Sequence, residues 1–114
     1  MVKIDRNGGE LRVIFAGRQT LAEAEMTRDQ LMAALLTPEM SSLVLDCTSV
    51  SDLDVSFLQL LLAARKMGQA RGSAVSLSAP AAGPLAETLA RAGLARPGDG
   101  GKGWFDPFWA GGQG

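Results

Sequence analysis

The chain has 114 residues, 46% hydrophobic and 20% charged, with a formal net charge of −1, which suits one folded domain around a single core and argues against disorder. Its Lys and Arg residues are scattered, so nothing selects a polyanion such as nucleic acid, and no apolar run approaches the roughly 20 residues of a membrane span. Histidine and tyrosine are absent and Cys47 is the single cysteine, which leaves little for acid–base or thiol catalysis and excludes an internal disulfide.

Behind Met1 there is no apolar segment of a secretory signal, so a cytoplasmic protein without cofactor is expected. Val2, Ile4, Leu11, Val13 and Phe15 alternate on either side of Asn7-Gly8-Gly9 and predict an N-terminal β-hairpin whose turn needs positive φ. Thr20-Leu21-Ala22-Glu23 has the form of a capping box. A helix should therefore start at Leu21, turn Leu21, Ala24, Leu31 and Leu35 to the core and Glu23, Arg28 or Gln30 outward, and stop before Thr37-Pro38.

The apolar run from Ser42 to Asp46 reads as a strand near the sheet centre, covered on both faces. Val50 to Ser56 reads as an acidic loop, followed by a long helix to about Arg71 that Gly72 ends. Ala74 to Ser78 is a further strand and Pro80 to Ala92 a third helix, with Leu85 and Leu89 one turn apart and Leu94 packing back behind Gly93. The order implies an α/β fold, a small mixed β-sheet covered by helices. The domain is placed at residues 1–94. Residues 95–114 form a Gly-rich and aromatic tail whose Trp104, Phe105, Phe108 and Trp109 cover the sheet or engage a partner or a membrane interface. The terminal Gly-Gly-Gln carries no weight.

The start of the second long helix is the main functional candidate, because unpaired backbone N–H groups and a partial positive charge meet a hydroxyl there. On a helical wheel Phe57, Leu60, Leu61, Ala64 and Met67 form the core face, and Val55, Gln59, Leu62, Lys66 and Gln69 lie opposite. Two aliphatic residues among polar ones suggest a docking patch, although single exposed apolar residues are ordinary. Asp54 is placed to cap the helix by accepting from Ser56 or Phe57. The Ser56 hydroxyl either bonds to nearby backbone or takes a phosphate, which the helix start favours and Asp52 and Asp54 oppose. Asp46, Asp52 and Asp54 lack the ligand spacing of a cation loop, so no metal site is expected.

These segments, together with Phe15-Ala16-Gly17-Arg18-Gln19-Thr20-Leu21, Leu60 to Arg65 and Leu85 to Leu94, make residues 2–94 resemble the STAS domain of anti-sigma-factor antagonists and sulphate transporters. In phosphorylatable antagonists the loop reads Asp-Ser-Ser-Gly-Leu, and the first serine is modified by a kinase that is also the anti-sigma factor. Here Asp54-Val55-Ser56-Phe57-Leu58 puts Val55 at the acceptor position, Ser56 at the second serine and Phe57 at the glycine. This form is similar to STAS proteins found with bacterial chemotaxis and histidine-kinase components. The resemblance implies a non-catalytic signalling adaptor that docks a kinase-like or chemotaxis regulator through Asp54, Val55, Ser56, Gln59, Leu62 and Lys66. Two alternatives stay open: a STAS subunit of an ABC-type lipid-transport complex, and an antagonist regulated by phosphorylation of Ser56. A second copy of the chain is a further candidate partner.

Overall fold

Gly8 takes φ +61° while Gly9 stays outside the left-handed region, the pattern of a II′ connection. It joins β1 (Val2–Asn7) to β2 (Glu10–Gln19) in an antiparallel hairpin with unbroken register from Val2↔Phe15 to Asn7↔Glu10. The computed structural model describes residues 2–37, 40–94 and 106–111. β3 (Ser42–Leu53) runs parallel to β2 and β4 (Ala74–Leu77) parallel to β3, which gives a mixed four-stranded sheet in the order β1-β2-β3-β4. Three helices, α1 (Leu21–Leu35), α2 (Val55–Ala70) and α3 (Gly83–Arg91), and a 3₁₀ turn at Pro107–Ala110 complete it.

Period-two alternation makes the core. Leu11, Val13 and Phe15 of β2, Leu43 and Leu45 of β3, and Val75 and Leu77 of β4 are buried together with Leu31 and Leu35 of α1, as expected for strands that turn every second side chain to one face. Phe15 meets Phe57 of α2 edge to face with ring centroids 5.0 Å apart. Ile4 lies on the same side but is 43% exposed, because β1 is an outer strand.

Four expectations are corrected. Leu21 is 74% exposed and Ala24 only half-buried: the first turn of α1 overhangs the core, and Thr27, Leu31, Ala34 and Leu35 form its inner face. On α2 the inner face is Phe57, Leu58, Leu61, Ala64 and Gly68; Leu60 is half-buried and Met67 is 37% exposed, so the helix is turned toward Leu58. Residues 50–53 are strand and not loop, because β2 continues past one register shift to pair Gly17 with Val50 and past a second to pair Gln19 with Leu53. α3 begins at Gly83 rather than Pro80, since the Ala81 N–H is taken by the Trp109 carbonyl at 2.7 Å and Pro84 suits a first helical turn.

The 3₁₀ turn is fastened to the same core. Asp106 accepts from the Phe108 N–H at 3.0 Å and pairs with Arg65 of α2, whose guanidinium lies 5.1 Å from the Phe108 ring centroid. Phe108 and Trp109 are fully buried. Trp104 and Phe105 lie outside the described residues.

Gly68 sets how near α2 lies to the sheet: a Cβ there would stand 2.5 Å from Val75 Cγ2. Gly68→Val should cost about 1–3 kcal/mol by overpacking, read as a lower urea midpoint with an unchanged m-value.

Candidate functional site at the starts of α1 and α2

Because β2 and β3 are parallel and end together at Gln19↔Leu53, the helices that follow them begin side by side. Thr20 caps the start of α1: its N–H and hydroxyl donate to Glu23 Oε1 at 3.0 and 2.7 Å, and its carbonyl accepts from the Glu23 N–H at 2.9 Å. Gln19 is buried, donating to the Ala16 carbonyl at 3.2 Å and accepting from Thr27 Oγ1 at 2.9 Å. Thus the end of β2 is tied to the second turn of α1.

Asp54 joins the two helices. Its Oδ1 accepts from the Ser56 N–H at 3.0 Å and from the Ser56 hydroxyl, while its Oδ2 accepts from the Leu21 N–H at 2.8 Å. One carboxylate therefore satisfies an orphan donor at each helix start and lies where both dipoles favour negative charge. The Ser56 hydroxyl, with the N–H groups of Leu21, Ser56 and Phe57, holds the Asp54 carboxyl below its ordinary pKa against a smaller opposing effect of desolvation.

Around this tie the outward stripe of α2 alternates apolar and polar side chains, Val55, Gln59, Leu62 and Lys66 in order along the helix. Val55 is 52% and Leu62 38% exposed, and Gln59 and Lys66 are exposed beside them. Ser56 is half-buried. A groove between the helices is lined by Leu21, Ala24, Glu25 and Arg28 from α1 and by Ser56, Gln59, Leu60 and Ala63 from α2. The α2 side contains Ser56 and Gln59 of the residues singled out in the sequence. The α1 side escaped that reading. The wheel carries no signal for it, since Leu21 lies only about 40° from the buried Leu35 at 100° per residue, and its exposure comes from the overhang of the first turn.

The other candidates lie apart from this site. Asp46 accepts from Thr48 N and Oγ1 at 3.0 and 2.6 Å and lies 3.8 Å from Arg12, and Asp52 is exposed. Among the described residues no group of three or more His, Cys, Asp or Glu side chains is arranged to hold a metal ion. Burial, then the Asp46 charge, pushes the Cys47 thiol up to about 12, the condition of an inert thiol. Cys47 borders a mainly apolar cavity of about 290 Å³ whose walls include Val50, Leu77, Ser78, Pro80 and Leu85. No helix among the described residues is long and apolar enough to cross a membrane.

The family model described as "Mlab, STAS domain" matches residues 2–98. The chain belongs to the STAS-domain family. Among solved structures, an anti-sigma factor antagonist from Mycobacterium paratuberculosis is 22% identical, with a TM-score of 0.65 over 82% of this chain and 78% of that one. The Bacillus cell fate determinant SpoIIAA in its phosphorylated form is 14% identical, with a TM-score of 0.63 over 82% of this chain and 85% of that one. A structure of Mglu is 23% identical with a TM-score of 0.59, over 68% of this chain but 19% of the other. At these identities the likeness is one of fold. No curated protein sequence matches this STAS domain.

Two measurements probe the site. Because the Asp54 pKa is depressed in the folded state, its contribution to stability is fully present above about pH 4 and is lost as the pH falls through the folded value. The melting-temperature gap between wild type and Asp54→Asn should thus be constant near neutrality and shrink in acid. Cys47 should resist alkylation at pH 8 in the native protein and react on unfolding in urea; equal rates in both states would contradict the burial.

Proposed function

We propose that this STAS domain is a non-catalytic binding module that docks a kinase-like or chemotaxis-pathway regulatory protein through Asp54, Val55, Ser56, Gln59, Leu62 and Lys66. The observation that carries this reading is the exposed pair Val55 and Leu62, held beside a helix start whose cap is already satisfied from within the chain. Exposed apolar side chains interleaved with polar ones on one fixed helix face suit a non-obligate protein interface. Val55 stands where phosphorylatable antagonists carry the acceptor serine, so contact at this surface proceeds without phosphate there.

Phosphate control through Ser56 fits less well. Its hydroxyl is engaged by Asp54, and a phosphate would both break that bond and face the carboxylate. Intact mass after incubation with the native partner kinase and ATP separates the two cases: no phosphate increment is expected, and one that disappears in Ser56→Ala would establish the switch.

A second reading gives the same surface to the nucleotide-binding subunit of an ABC-type lipid-transport complex. It is favoured by the matched family model, whose description is Mlab and not an anti-sigma factor antagonist. Affinity capture from native lysate with identification by mass spectrometry decides between them. Recovery of signalling kinases or chemotaxis proteins supports the first reading; recovery of a transport ATPase replaces it. Leu62→Glu should weaken capture at least tenfold while moving the melting temperature little, since the side chain is partly solvated already. A large fall in stability would assign Leu62 to the core.

A further inference from the structure

The two edges of the sheet differ. β4 has four residues and the 3₁₀ turn packs beside it. β1 has six, holds an unbroken register with β2, contains no proline, and among the described residues has no strand on its outer side. A regular edge with no described strand beyond it is a template for another strand. Because the connection to β2 has two residues, Asn7 and Glu10 close the hairpin as a hydrogen-bonded pair. By alternation Lys3 and Asp5 turn their backbone groups to β2, and Val2 and Ile4 turn theirs outward.

Charge selects the strand that fits. Lys3 and Asp5 lie on one face of β1, opposite Ile14 and Arg12 of β2, while Ile4 lies on the helix-covered face, opposite Val13. If two copies of β1 pair antiparallel about an axis through Ile4, Lys3 of each copy stands directly across from Asp5 of the other, and the half-exposed Ile4 side chains meet on the opposite face. Opposite charges across a pair are favourable and like charges unfavourable. Shifting this register by two residues in one direction puts Lys3 against Lys3, and in the other Asp5 against Asp5. A parallel in-register pairing does both. A lone lysine on an edge strand normally repels a second strand, and Asp5 cancels that repulsion in the symmetric register.

We propose that β1 is a self-complementary edge through which two copies of this chain join into a two-fold dimer with a continuous eight-stranded sheet. Six residues of strand make less than a standard interface, so the dimer is weak and fills on the order of 0.1–1 mM chain.

Sedimentation equilibrium of the full chain up to about 1 mM tests it. The wild-type mass should rise from 11.9 kDa toward twice that value with concentration. Lys3→Asp and Asp5→Lys should each remain monomeric, and an equimolar mixture of the two variants should regain the dimer. Wild type that stays monomeric throughout, or single variants that associate as wild type does, would overturn the proposal. Ile4→Cys gives a second readout independent of charge. Directly opposed residues of a hydrogen-bonded pair have Cα atoms about 5.5 Å apart, within disulfide reach. Mild oxidation should therefore cross-link Ile4→Cys and leave Asp5→Cys, whose equivalents are offset along the strands, largely uncoupled. Equal cross-linking at both positions contradicts the register.

Discussion

The Asp54 carboxylate accepts from Leu21, 33 residues away in sequence, with one oxygen and from Ser56 with the other, so the beginnings of two helices are held by a single side chain. Backbone N–H groups at a helix start need partners, and here one acceptor serves both. This is possible because β2 and β3 are parallel and finish at the same level, Gln19 beside Leu53. The cap of α2 is local chemistry, whereas the bond to Leu21 is tertiary. Together they set the position of α1 against α2, and so the shape of the groove between them.

α2 works on two sides at once. Inward, Phe57 meets Phe15 and Gly68 lets the helix approach Val75. Outward, the same turns carry Val55, Gln59, Leu62 and Lys66. Since the inward face is close-packed, the outward face has a defined orientation, which is what a recognition surface requires if binding is not to be opposed by ordering. Arg65 extends the arrangement to the C-terminal side by pairing with Asp106 over Phe108.

Features that rest on local chemistry were legible in the sequence. The glycines of the hairpin, the Thr20 and Glu23 cap, the Asp54 cap and the outward stripe of α2 follow from spacing and φ preference alone. Features that need a distant partner were not. Val50, Asp52 and Leu53 read as loop because their strand partners Gly17, Arg18 and Gln19 lie more than thirty residues away. Leu21 read as core because a wheel cannot show where a helix overhangs the sheet. The close approach of α2 to β4 depends on Gly68, a residue that contributes packing by having no side chain. The buried Gln19–Thr27 pair and the Asp54–Leu21 bond likewise leave no periodic trace.

The tie between the helices is tested most directly by amide hydrogen exchange at Leu21 and Ser56 in wild type and in Asp54→Ala, under conditions where both remain folded. If one carboxylate holds both starts, the two amides should lose protection together in the variant, with amides in the middle of α2 little changed. Faster exchange at Ser56 with Leu21 unaltered would show that Asp54 caps α2 alone and that α1 is positioned by something else.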